Sequence, residues 1–152
     1  MNISKFTQKS VQAVQDLEKV AYEYGNQEVE QEHLLYALLT QEDSLILKLI
    51  EKMEINKDYF INTVKKALDA KVKVSGGDLR FGQYLNKSLV NAENEAKAMG
   101  DEYVSVEHLF LSLLTQPSPS MKNIQRVWNH QRKISPGTFN CKRQPESCQR
   151  QS

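Results

Sequence analysis

The 152-residue chain has 39% apolar residues, 26% charged residues and a formal charge of +1, the make-up of one ordinary globular domain with a real core. No apolar run approaches the roughly 20 residues that span a bilayer. The opening MNISKFTQKS places no apolar stretch behind its two lysines, so it does not read as an export signal and a cytoplasmic address is expected. The charge is uneven, +5 over residues 125–152 against −4 over residues 1–124, and the two parts are best read separately.

Taken in chain order, Val11, Val14, Leu17, Ala21 and Tyr24 step by three or four, one face of a first helix. Gly25 ends it, because glycine enters the left-handed C′ conformation at little cost. The short apolar run EHLLYALL predicts a second helix, with Glu32 in its first turn, where the helix dipole favours negative charge. Ser44 is a good N-cap for a third helix carrying Leu45, Leu49, Ile50 and Met53. Asn56 caps a fourth carrying Phe60, Val64, Ala67 and Leu68. KVKVSGGDLR (71–80) then breaks the pattern and reads as a linker around Gly76-Gly77. A further helix carries Phe81, Leu85, Leu89, Ala92, Ala96 and Met99 and stops at Gly100. EHLFLSLL follows, with Glu107 in its first turn.

This order repeats. Shifted by 75 residues, positions 6–41 lie over 81–116 without a gap, and 13 of the 36 positions are identical. Phe6/Phe81, Gly25/Gly100, Glu32/Glu107, His33/His108 and Leu38/Leu113 are among them. Duplication of one helical unit follows. The expected fold is all-α, two tandem pseudo-symmetric four-helix repeats with the last helix in doubt. The boundaries are 1–70 for the first repeat, 71–80 for the linker and 81–124 for an incomplete second repeat. Residues 125–152 are expected to form an irregular basic tail.

The tail is doubtful because the mirror image of the third and fourth helices fades there. MEINKDYFINTVKKAL of the first copy faces WNHQRKISPGTFNCKR, where Pro136-Gly137 would break a helix and the apolar stripe is lost. Departure from the ancestral reading frame near Ile124 would account for this, since an adjacent frame can spell a helix similar to residues 55–60.

Few residues invite catalytic readings. His33 and His108 lack a third ligand at fitting spacing and do not form HExxH, so packing or capping is the stronger reading. Cys141, Cys148 and His130 match no zinc spacing, and the basic tail is better read as solvated than as a nucleic-acid surface. No G-x-x-x-x-G-K-[ST] phosphate loop occurs. No metal, no cofactor and no enzymatic activity are expected.

The motif G-N-Q-x-V-E-x-E-H-L-L-x-A-L-L with its second copy, NISKFTQKSVQAV and SGGDLRFGQYL resemble the Clp amino-terminal (Clp R) domain of Hsp100 AAA+ unfoldases. The resemblance covers about residues 1–124 and is strongest to the ClpB disaggregase branch. It implies two packed pseudo-symmetric bundles that dock unfolded or aggregated polypeptide, or Clp adaptor proteins, for an ATP-driven ring. Nucleic acid and membrane are not implied partners, and the isolated chain is expected to be a monomer. It also implies that Thr7, Asp101 and Glu107 take part in substrate binding. Thr7 equally suits an N-cap, and Glu107 a dipole-matched first turn. Asp101 faces the neutral Asn26 of the first copy and Tyr103 faces Glu28. An aromatic beside acids suits a site for extended peptide, so Tyr103 joins the candidates. The alternative is a standalone regulatory protein that binds a Clp ATPase or its adaptors.

Overall fold

The computed structural model describes residues 3–74 and 77–134. The first repeat contains α1 (Gln8–Glu23), α2 (Gln31–Thr40), α3 (Leu45–Lys52) and α4 (Lys57–Asp69). The second contains α5 (Gln83–Ala98), α6 (Val106–Thr115) and α7 (Lys122–Ile134). Two very short strands, β1 (Glu28–Val29) and β2 (Arg80–Phe81), and two 3-10 turns, Ile3–Lys5 and Pro119–Met121, complete the regular structure of the described residues. The fold is all-α, as its periodicity predicts. Any eighth helix lies outside the described residues. Among those residues no helix is long and apolar enough to cross a membrane.

The helix starts follow the sequence. Ser44 accepts a hydrogen bond from Leu47 N–H at 3.1 Å and Asn56 one from Tyr59 N–H at 3.1 Å, each satisfying a donor that the helix leaves orphaned. The helix ends follow it too. Gly25 and Gly100 sit at φ 70° and 75°. The N–H groups of Asn26 and Asp101 reach back to the carbonyls of Ala21 and Ala96 at 2.9 and 2.8 Å, closing Schellman motifs on α1 and α5.

α2 and α6 form the centre. Leu34, Leu38, Leu109 and Leu113 are buried there, flanked by Leu17 and Ala21 of α1 and Leu85 and Leu89 of α5. One continuous apolar cluster crosses both repeats, so they share a core and fold as one domain. Buried Gln31 of α2 reinforces the join. Its Nε2 donates to Ser88 Oγ at 2.6 Å and to the Gln116 carbonyl at 3.0 Å, and its Oε1 accepts from Ser118 N–H at 2.7 Å.

One expectation is corrected. Residues 125–134 are not irregular but continue α7. Met121, Ile124 and Trp128 recur at i, i+3 and i+7 and are all buried, which is one helical face. Trp128 packs at 5.6 Å from the Phe60 ring centroid and 5.1 Å from that of Phe110. A stripe this short is easily missed when the comparison starts at Trp128 and runs on through Pro136. The counterpart of α4 would span residues 132–144 and falls mostly outside the described residues, so α7, which matches α3, leaves the expected frame change near Ile124 untested. Pro136, Gly137, Cys141 and Cys148 lie outside the described residues. A second correction concerns Met99, expected on the buried stripe of α5. It is the C-cap residue and is exposed.

Candidate functional site

The two repeats exchange backbone at their junctions. Phe6, just before α1, pairs in parallel with Val104, just before α6. Phe81, just before α5, pairs in parallel with Val29, just before α2. The 75-residue shift turns the first pairing into the second. Thr7 N–H donates to the Val104 carbonyl at 3.0 Å and Val104 N–H to the Lys5 carbonyl at 2.7 Å. The first bond has its counterpart in Gly82 N–H donating to the Val29 carbonyl at 2.8 Å, and the same pairing is extended by Arg80 N–H donating to the Gln27 carbonyl at 3.0 Å. Arg80, read as the last linker residue, is thus already in a strand.

Each extended segment then enters its central helix through a histidine. His33 Nδ1 accepts the N–H of Glu30 at 2.9 Å, and His108 Nδ1 accepts that of Ser105 at 2.9 Å. These are reciprocal capping boxes with histidine in the usual Glu or Gln position. A ring nitrogen that accepts a backbone N–H carries no proton, so Nε2 holds the hydrogen in both rings. His33 Nε2 donates to Asn26 Oδ1 at 2.9 Å, and His108 Nε2 to Asp101 Oδ2 at 2.9 Å. Burial, then the Lys71 charge, hold the His33 pKa down at about 4. The histidines lock the end of one helix to the start of the next, which is the capping role that their spacing suggested.

The segments differ in what covers them. On the first repeat Lys71 is nearly buried, 2.7 Å from Glu30 Oε2 and 3.1 Å from Oε2 of fully buried Glu32. Burial presses the Lys71 pKa down, but Glu32 and Glu30 more than reverse this and leave it raised. On the second repeat Tyr103 is 52% exposed, the Asp101 side chain 50% exposed and Glu107 half-buried. Lys71 was read only as linker. The alternation of lysine and valine in KVKV was the signal that this stretch lies extended.

The four candidate residues therefore gather in one region. Thr7 lies beside Val104 through the backbone pairing, and Asp101, Tyr103 and Glu107 belong to the segment that Val104 anchors. Thr7 and Asp101 also have structural duties. Thr7 Oγ1 accepts from Ser10 N–H at 3.2 Å as the α1 N-cap, and Asp101 orients His108. Three clefts, of about 390, 600 and 220 Å3, are lined by residues of the first repeat and the 71–80 segment and by none of these four residues. The candidate surface is an open face, suited to an extended chain rather than to an enclosed small molecule. Among the described residues no cluster of His, Cys, Asp or Glu is placed to hold a metal.

A duplicated helical unit joined by exchanged backbone and a shared core defines the class, a double-repeat helical domain. The chain belongs to the Clp repeat (R) N-terminal domain family, whose profile matches residues 5–126. It is 38% identical over 126 residues to the chaperone protein ClpB of Nitratidesulfovibrio vulgaris, covering 80% of this chain and 15% of that protein. The chain thus spans about 15% of the length of the curated relatives it matches. The fold is similar to the Hsp104 N-terminal domain of Candida albicans, with TM-score 0.72 and 17% identity over 83% of this chain and 81% of that one. It is also similar to a ClpV N-domain in complex with VipB peptide, with TM-score 0.66 and 19% identity over 88% and 87%.

Proposed function

We propose that this chain is the non-catalytic docking domain of a ClpB-like protein disaggregase. It captures unfolded or aggregated polypeptide on the face formed by Met99–Glu107 and Thr7. The observation that supports this most is the asymmetry between the repeats. The same backbone scaffold carries a segment covered by Lys71 in the first repeat and, in the second, exposed Tyr103 and Asp101 beside a half-buried Glu107. Exposed aromatic and apolar side chains supply contact without sequence choice, and the carboxylates supply polar anchors. Binding is weak and reversible, as befits a site that hands its client on. The VipB peptide bound by a ClpV N-domain supports a second kind of partner for this domain, an adaptor segment.

Fluorescence anisotropy with a labelled, reduced and carboxymethylated protein tests the reading. The parent chain binds it and ignores the native form. A Tyr103→Ala, Glu107→Gln double variant binds several-fold more weakly at an unchanged melting temperature. A folded double variant that binds as well as the parent overturns the assignment of the face.

A further inference from the structure

Residues 71–74 form a strap that leaves α4 and crosses the first repeat along residues 24–32. Val74 N–H donates to the Gly25 carbonyl at 2.9 Å, and Asn26 Nδ2 donates to the Val72 carbonyl at 3.1 Å. The side chains alternate as in a strand. Lys71 and Lys73 reach back to the domain, while Val72 and Val74 are 81% and 44% exposed. Polar contacts, rather than buried apolar side chains, therefore hold the strap. Val74 also lines the clefts of about 390 and 220 Å3, so the strap is not sealed into the core.

The surface beneath it offers two seats for cations and a fixed backbone register between them. In the first seat Lys71 Nζ lies 2.7 Å from Glu30 Oε2 and 3.1 Å from Glu32 Oε2. Glu32 is fully buried, and its Oε1 has no hydrogen-bond partner among the described residues, so the carboxylate depends on a cation beside it. In the second seat Lys73 Nζ donates to the Tyr24 carbonyl at 2.8 Å and stands 5.7 Å from the Tyr24 ring centroid. Tyr24 is the C-cap of α1, where the helix dipole turns its negative end outward, and the ring adds its own attraction for an ammonium group. Asn26 sets the register. His33 Nε2 occupies its Oδ1 at 2.9 Å, which turns Nδ2 toward the strap carbonyl. His33 is thus a positioning residue for the strap.

None of these contacts requires the strap to belong to the same chain. We infer that the first repeat carries a second polypeptide site, separate from the Met99–Glu107 face, which accepts an extended segment with basic residues at alternate positions and is kept closed in cis by residues 71–74. Every contact in this inference lies within the first repeat, so it does not rest on the docking reading above. A tethered strap meets its seats at an effective concentration on the order of millimolar. A free segment of the same kind displaces it only near that concentration, and binds readily once the strap is weakened. An acidic segment would set carboxylates against Glu30 and Glu32 and is excluded.

Two peptides test this on the full chain. One is acetyl-Asp-Ala-Lys-Val-Lys-Val-Ser-amide, the sequence of residues 69–75, and the other has glutamine in place of both lysines. Added to a Lys71→Ala, Lys73→Ala variant, the lysine peptide raises the melting temperature and shifts the amides of Gly25, Asn26, Glu30 and Glu32. The glutamine peptide binds about tenfold more weakly or less, the ratio expected of a lost charge-assisted hydrogen bond. Adding Glu32→Gln to the variant narrows that ratio. Equal binding of the two peptides, or shifts that avoid residues 24–32, overturns the inference. Should the variant not fold, the parent chain decides. Deuterium exchange at Val74 N–H, slowed by its bond to the Gly25 carbonyl, is quickened by a few millimolar lysine peptide and not by the glutamine peptide. An unaltered rate overturns the inference. Loss of unfolded-protein capture at Tyr103 would sink the docking reading and leave this site standing. Peptide shifts at Gly100–Ser105 alone would do the reverse.

Discussion

Nε2 of His33 donates to Oδ1 of Asn26 at 2.9 Å while its Nδ1 accepts the Glu30 N–H at 2.9 Å. Both ring nitrogens are committed, and the second bond survives only while the ring is neutral. A histidine with an ordinary pKa of 6.5 that is held at about 4 in the fold binds fewer protons folded than unfolded between those values. Its contribution is complete above about pH 6.5 and is lost as pH falls through about 4. The difference corresponds to about 3 kcal/mol. Urea melts at pH 7, 5.5 and 4.5 check this against His33→Gln, which keeps a capping-box side chain that does not titrate. The variant loses less stability than the parent as pH falls. Parallel pH profiles would contradict the account.

Gly25 and Gly100 occupy the same left-handed conformation in different surroundings. Gly25→Ala and Gly100→Ala are each expected to cost about 1–2 kcal/mol from backbone alone. The new methyl makes only ordinary contact at position 25 and none at 100. Chemical denaturation of the two variants should therefore give similar losses. A much larger loss at Gly25 would mean that displacement of residues 71–74 dominates.

Lys71 is the counter-charge of a fully buried carboxylate. Lys71→Met leaves Glu32 without it, and breaking such a pair from one side costs about 3–5 kcal/mol. Adding Glu32→Gln to the same chain should return most of that stability, because the uncompensated charge goes with it. Denaturation midpoints of the single and double variants decide the matter. A mild effect of Lys71→Met would mean that water replaces the ammonium group.

Trp128 anchors α7 to both repeats through Phe60 and Phe110. Trp128→Ala should cost about 3–5 kcal/mol and lower the cooperativity of unfolding. Intrinsic fluorescence offers a parallel check, since this is the chain's one tryptophan and its buried ring should report the same transition as circular dichroism. Two separate transitions would show that α7 is not part of the common core.

Helix periodicity and the 75-residue repeat made most of the fold legible, because buried stripes and glycine stops act locally. Ser44, Asn56, Gly25 and Gly100 do what their residue types require. The exchange of Phe6 and Phe81 between repeats was not legible, because a one- or two-residue pairing leaves no alternation to read. Gln31 faces Val106 in the second copy, so neither the repeat nor its polarity signals a buried bond to Ser118. For the candidate site, the exposure of Tyr103 and the asymmetry of Asp101 and Asn26 were visible once the copies were aligned. The cover over the first copy was not, since Lys71 lies far along the chain from Glu30 and Glu32 and in a segment of linker composition.

The central claim is that the Met99–Glu107 segment of the second repeat, with Thr7 beside it, forms the docking face and that the equivalent segment of the first repeat does not. Titration of the isotopically labelled full chain with a permanently unfolded protein, followed amide by amide, measures this most directly. The account predicts shifts at Gly100, Asp101, Tyr103, Val104, Ser105 and Thr7, with Gly25, Asn26 and Glu30 unmoved. Equal shifts in both repeats, or shifts centred on the first, would contradict it.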